Sequence, residues 1–232
     1  MLRLEDVDIQ KGNFCLTGHF TAKLGHIYAV LGPSGGGKST LLEAIAGFEP
    51  VRSGQISWDG KDITNIAPGV RPIAMLFQDG NLFPHLTAAQ NVGLGLHPNL
   101  RLSTQDQETV MRALSEVGLD GMADRKPAAL SGGQQARVAL ARLMVQQRVL
   151  ILLDEPFAAL GPALKAEMLT LVTDMARARG ATVLMVTHEP QDARQTADEV
   201  ILVADGQAHP PVTTDDIFTN PPSALRDYLG QA

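Results

Sequence analysis

The chain has 232 residues, 44% of them hydrophobic, and a formal net charge of −6. That apolar content suffices for a sizeable core in one or two compact domains, and the acidic balance, with no Lys/Arg run, excludes an electrostatic nucleic-acid footprint. The single cysteine, Cys15, excludes a disulfide framework and a zinc–thiolate cluster and fits a reducing compartment. The longest apolar runs, 149–153 and 183–186, fall far short of the ~18 residues of a membrane span. Met1-Leu2-Arg3-Leu4-Glu5-Asp6 has no signal-peptide core. The expectation is a soluble, cytoplasmic protein that is free to dock on a membrane protein.

From Leu2 to about Phe20 the chain reads as strands, with Phe14, Leu16, Gly18 and Phe20 alternating as one buried face of an antiparallel pair. Ile27–Leu31 is an apolar run typical of a buried parallel strand. It feeds Gly32-Pro33-Ser34-Gly35-Gly36-Gly37-Lys38-Ser39-Thr40, which fits G-x-x-x-x-G-K-[ST], the phosphate-cradling P-loop. Leu41, Leu42, Ile45 and Ala46 then repeat at helical spacing, with Gly47 as a stop and Pro50 beyond. Strand, glycine loop and helix together aim backbone N–H groups and the positive helix end at one point, an anion site. The glycines let the main chain curl close to phosphates. Lys38 reaches the β- and γ-phosphates of ATP, the Ser39 hydroxyl ligates Mg²⁺, and Thr40 lies beside the α-phosphate.

Gln55–Trp58 is a short strand followed by an Asp59-Gly60 turn, and Ile73–Phe77 is another that ends in Gln78. From Asp79 to Leu130 the chain is loop and helix, with Gly80, Pro84, Gly93, Gly95 and Pro98 as punctuation. Thr104 and Gln107 read as a capping box opening a helix with Val110, Leu114 and Val117 on one face, ended by Gly118. Ser131 and Gln134 form a second box, so a helix starts at Gly132-Gly133 and runs to about Met144. Val149–Leu153 is a fully apolar strand running into Asp154-Glu155. Carboxylates there emerge at the carboxyl edge of a parallel sheet, where Asp154 can hold Mg²⁺ and Glu155 can orient and deprotonate a water. A helix with Pro162 in its first turn ends at Gly180. Thr182–Val186 is a strand leading to Thr187-His188, and Val200–Val203 closes the core. This gives an α/β core over 1–78 and 136–208, an inserted helical part over 79–135, and a short tail over 209–232, too small for a regulatory domain.

Ser131, Gly132, Gly133 and Gln134 form a second helix-start anion site, separate from Lys38. One nucleotide does not need both from one subunit. They make sense if a neighbouring subunit presents the second site to the γ-phosphate held by the first. At this point the chain resembles the ATPase subunits of ABC transporters, whose motifs it carries in order: the P-loop, Gln78, Leu130–Gln134, Asp154-Glu155 and His188. The resemblance implies a RecA-like α/β core with an antiparallel β part and a helical insertion, working as a homodimer that sandwiches two ATP molecules. It implies Gln78 as a residue touching Mg²⁺ or water, and His188 as a switch histidine on the γ-phosphate. Asn81–Thr87 would line the groove for an integral-membrane permease, itself fed by a periplasmic solute-binding protein. The subunit would sit peripherally on the cytoplasmic face of the inner membrane, with no nucleic-acid partner.

The chain departs from that family at three places. Ala159-Leu160-Gly161 lacks the usual Asp after Ala-Leu, which bears on communication between the two ATP sites. Gln135-Ala136-Arg137 lacks one usual basic residue. No adenine-stacking aromatic stands near Gln10 or Lys11; Phe14 could substitute, although its place in the alternating strand favours a core role. The stretch 75–96, and above all Gln90-Asn91-Val92-Gly93-Leu94-Gly95-Leu96-His97-Pro98, resembles the ATPases of thiamine importers. Importers of polyamine, sulfate or iron, a non-transport ABC ATPase and a non-hydrolysing ATP-binding module are the alternatives.

Overall fold

The computed structural model describes residues 1–78, 80–158 and 160–229. Asp79 and Ala159, each part of a motif named above, and residues 230–232 of the tail lie outside the described residues. The chain divides into two units. The first holds 1–73, 149–154 and 176–232, and the second holds 74–148 and 155–175.

In the first unit, β1 (Leu2–Lys11) pairs antiparallel with β2 (Phe14–Ala22). On its other side β1 pairs with β4 (Val51–Trp58), which turns through Asp59-Gly60, both at positive φ, into β5 (Lys61–Asp62). Parallel to one another run β3 (Ile27–Leu31), β7 (Leu150–Asp154), β8 (Thr182–Val186) and β9 (Glu199–Ala204), buried at every position. Strands covered on both faces have no solvent side to alternate with, which is why they read as unbroken apolar runs. β10 (Gln207–Ala208) pairs with both β2 and β9 and so joins the antiparallel part to the parallel one. The order is β5-β4-β1-β2-β10-β9-β3-β8-β7, with β11 (Val212–Thr213) also on β9.

The P-loop helix α1 (Lys38–Ala46) is anchored by Leu41, Leu42 and Ile45, all fully buried, and stops at left-handed Gly47. Its carboxyl end is capped by Arg71, a buried side chain whose guanidinium donates to the carbonyls of Ala44, Ile45, Thr64 and Ile66. Burial pulls the Arg71 pKa down, but four acceptors and the negative helix end hold the charge in place. The tail is no loose appendage. Helices α7 (Thr214–Thr219) and α8 (Ser223–Tyr228) set Ile217, Phe218 and Leu225 against Ala29 and Leu31 of β3 and Ala193 of α6 (Pro190–Thr196).

In the second unit, β6 (Ile73–Leu76) leads to a packed trio of helices: α2 (Ala88–Gly93), α3 (Thr104–Glu116) and α4 (Gly132–Val145). Helix α5 (Pro162–Arg179) begins in this unit, and its last turn is counted with the first. This unit is larger than the stretch 79–135 marked off by sequence, because α2 and α3 bury their apolar sides on α4. The cap of α3 is Ser103 with Asp106, one residue before the expected Thr104 and Gln107. The Asp106 carboxylate accepts from the Ser103 N–H and hydroxyl, bonds that lower its pKa and that a neutral carboxamide makes less strongly. Gly95 is required where it stands: a Cβ there would lie 2.4 Å from the Arg142 carbonyl. Buried Asn91 accepts from the Phe83 N–H and donates to the carbonyls of Phe83, Leu86 and Thr87, fixing the loop ahead of α2.

Arg71→Met is expected to leave helix-end carbonyls unsatisfied and to destabilise the fold by roughly 2–4 kcal/mol. A urea midpoint unchanged from wild type would show that Arg71 does not hold α1.

Candidate functional site

The P-loop is shaped by one close approach. Gly32 has φ +150, and a Cβ on it would fall 2.0 Å from the carbonyl oxygen of Val203 in β9. The same oxygen lies 3.1 Å from a Cβ position on Gly36, so this carbonyl forms the floor of the loop. Gly37 is the N-cap of α1 in left-handed conformation, with no side chain capping the helix. The first-turn N–H groups are thus left for an anion. Lys38, buried, donates to the carbonyls of Gly32 at 2.9 Å and Pro33 at 3.0 Å. Its ammonium therefore lies over the loop that the glycines form. Thr40 is buried one residue past Ser39, inside the helix, while Ser34 and Gly35 are exposed at the loop's crest.

Ser39 and Asp154 meet. The Ser39 hydroxyl donates to Asp154 Oδ1 at 3.0 Å, joining the start of α1 to the end of β7. Asp154 is nearly buried, so the pair puts two hard oxygen donors beside the phosphate cradle. That donor set fits Mg²⁺, which retains water ligands and takes few protein oxygens. Glu155, the next residue, turns the chain with φ +46, a backbone conformation that costs a non-glycine residue energy and is concentrated at functional sites.

His188 follows β8 in the first unit. The N–H of Thr187 bonds to the Val30 carbonyl, one residue before the last of β3, so His188 emerges at the same strand edge as the P-loop. Its imidazole is exposed. Two residues that the sequence did not single out hold this loop. The Thr187 hydroxyl donates to buried Asp192 of α6 and accepts from the Glu189 N–H, and Tyr228 of α8 donates its hydroxyl to the His188 carbonyl. An acidic residue in the first turn of a Pro-started helix was a legible hint of Asp192. Nothing local pointed to Tyr228.

In the second unit, Ser131 caps α4: its hydroxyl accepts from the Gln134 N–H, and the Gln134 carboxamide oxygen accepts from the Ser131 N–H. Gln134 is thereby committed to the cap, while Gly132 and Gly133 open α4, the kind of helix start that can accept an anion. Gln78 and Gly132 line one cavity of about 270 Å³ in this unit, with Gln135, Ala136 and Leu160. A second, more open cavity of about 390 Å³ is lined by Ala89, Leu100, Leu102, Val110 and Met111. That cavity lies between α2 and α3; in the Asn81–Thr87 segment ahead of α2, Phe83 is exposed.

Phe14 departs from its expected core role. It is only half-buried, and its ring edge lies 2.7 Å from the position of a Cβ on Gly37. At Lys11, where an aromatic was sought, the ammonium instead bonds Glu43 of α1 at 2.6 Å, a contact that raises the lysine pKa. The hairpin end is tied to the P-loop helix by charge, and the ring beside it comes from the opposite strand.

The ABC transporter family profile matches residues 17–158. The chain is 61% identical over 230 residues to the thiamine import ATP-binding protein ThiQ of Ruegeria sp. (strain TM1040), covering 99% of this chain and 100% of that one. It is 56% identical, over the same shares, to the protein of that name from Cereibacter sphaeroides. Among solved structures, the ATP-binding cassette MJ0796, in a dimeric post-hydrolysis state bound to ADP and Pi, superposes with a TM-score of 0.81 at 30% identity. That match covers 92% of this chain and 99% of the other.

Gly32→Ala is expected to abolish nucleotide binding, because its Cβ meets a backbone oxygen that cannot move aside. Gly35→Ala, with nothing within 4 Å of its Cβ, should cost only the left-handed strain of about 1–2 kcal/mol. Equal effects of the two on ATP affinity and thermal midpoint would contradict the floor assigned to Val203.

Proposed function

The chain belongs to the ABC transporter family and is an ATPase of that family, and from this premise we propose that it drives an importer of thiamine and its phosphates. The full-length similarity to thiamine import ATP-binding proteins carries the cargo assignment. The Ser39–Asp154 contact beside Lys38 carries the hydrolytic one.

Lys38 and the loop N–H groups hold the β- and γ-phosphates of ATP, and Thr40 stands beside the α-phosphate. Ser39, Asp154 and Gln78 are the residues that would hold Mg²⁺, which when bound neutralises charge on the β- and γ-oxygens. Glu155 takes the proton from the attacking water, and His188 contacts the γ-phosphate. The chain works as a homodimer in which Ser131, Gly132 and Gly133 of one copy meet the γ-phosphate held by Lys38 of the other. The capped, glycine-opened start of α4 supports this arrangement, as does the dimeric state of the MJ0796 cassette. Asn81–Thr87 lines the groove for an integral-membrane permease, which takes its cargo from a periplasmic binding protein, and the subunit sits peripherally at the cytoplasmic membrane surface; exposed Phe83 and the apolar cavity between α2 and α3 support this reading. Among the described residues no helix is long and apolar enough to cross a membrane.

Phe14 offers adenine an aromatic face at the P-loop. Base stacking of about 1–3 kcal/mol predicts that Phe14→Ala raises the KM for ATP on the order of tenfold with kcat little changed. An unaltered KM would remove Phe14 from the nucleotide site. Glu155→Gln should lower ATP turnover by roughly 10²–10⁴-fold. Labelled-thiamine uptake in a strain lacking the protein should return with the wild-type chain and not with this variant. Uptake that never depended on the chain would sink the thiamine assignment, and near-normal ATPase in Glu155→Gln would sink the base.

A further inference from the structure

The His188 loop is held from two sides by different parts of the chain. On one side Thr187, Glu189 and Asp192 form a local hydrogen-bonded turn at the start of α6. On the other, the Tyr228 hydroxyl donates to the backbone carbonyl of His188 itself, across 40 residues of sequence. Tyr228 reaches that carbonyl because α8 is well seated. Leu225 is fully buried among Ala29 and Leu31 of β3, Ala193 of α6 and Phe218 of α7, with Tyr228 and Leu229 packed at the edge of the cluster. Arg194 of α6 stacks over the Phe218 ring at 4.0 Å, so the C-terminal helices grip α6 as well as the sheet. One apolar cluster thus touches the strand that launches the P-loop and the helix that follows His188.

We propose that Tyr228 is a positioning residue for the hydrolytic site. By fixing the His188 backbone relative to β3, its hydroxyl sets where the imidazole stands with respect to the γ-phosphate over the P-loop. The proposal rests on the reading of His188 as a γ-phosphate contact. A loop that carries an imidazole to a phosphate has to keep its backbone in one place while it does so, and holding it there costs conformational entropy. A hydrogen bond to the His188 carbonyl offsets that cost without occupying the ring. The contact is made by a side chain whose remaining area is already anchored, so losing the hydroxyl leaves α8 in place.

The test uses the full chain with Tyr228→Phe, which deletes only the hydroxyl, alongside His188→Ala. The net worth of one hydrogen bond leads us to expect a roughly three- to tenfold lower kcat for Tyr228→Phe. Its KM for ATP and its thermal midpoint should stay near wild type, and His188→Ala should lose nearly all turnover. Wild-type kcat in Tyr228→Phe with an inactive His188→Ala overturns the positioning role and leaves the reading of His188 standing. A fully active His188→Ala overturns both. A kcat loss that follows a lowered thermal midpoint, and vanishes when assayed at lower temperature, makes Tyr228 a structural residue only and overturns the proposal.

Discussion

The carbonyl of Val203 is the constraint on which the site depends. It stands under Gly32 and Gly36 so closely that the loop can pass only as bare backbone. A loop held that low brings its N–H groups inward and starts α1 at Gly37 with the helix end open. The parallel pairing of β9 with β3 sets the height of that floor, since Leu31 and Leu202 lie side by side in register. The same sheet delivers Asp154 at the end of β7 to the hydroxyl of Ser39. The floor of the glycine loop and the Ser39–Asp154 pair are two consequences of one strand arrangement.

Geometry this tight must be braced from behind, and the chain braces the carboxyl-terminal turn of the P-loop helix from two directions. Arg71 binds the carbonyls at the far end of α1, while Lys11 ties the β1–β2 hairpin to Glu43 on its flank. The C-terminal helices close the remaining side of β3 by apolar packing. These contacts lie outside the motifs, yet they hold the elements that carry them.

What could be read from sequence was what is local. The P-loop, the strand before it and the Ser131–Gln134 capping box each lie within a dozen residues and obey fixed spacings, so pattern alone located them. The parallel strands were legible as unbroken apolar runs because both their faces are covered. Contacts between distant segments were not legible. Arg71 looks like an ordinary loop arginine until its partners 26 and 27 residues earlier are seen. Phe14 fitted the alternation of β2, but it lies at the strand's first position, with its ring against Gly37 at the start of α1. The tail carries four prolines in 24 residues and no long periodic segment. Its two short helices exist because the core offers them an apolar seat, which tertiary structure provides and local propensity does not.

In the proposed dimer, the two helix ends act on one nucleotide from different copies of the chain. The most direct measurement is ATPase activity on mixing Lys38→Ala protein with Ser131→Arg protein, each inactive alone. In a sandwich dimer, the mixed pair contains one site with both defects and one site with neither. Activity well above the sum of the parents is therefore expected. If mixing yields only that sum while the mixed dimer forms, Lys38 and Ser131 serve the same subunit and the account is wrong.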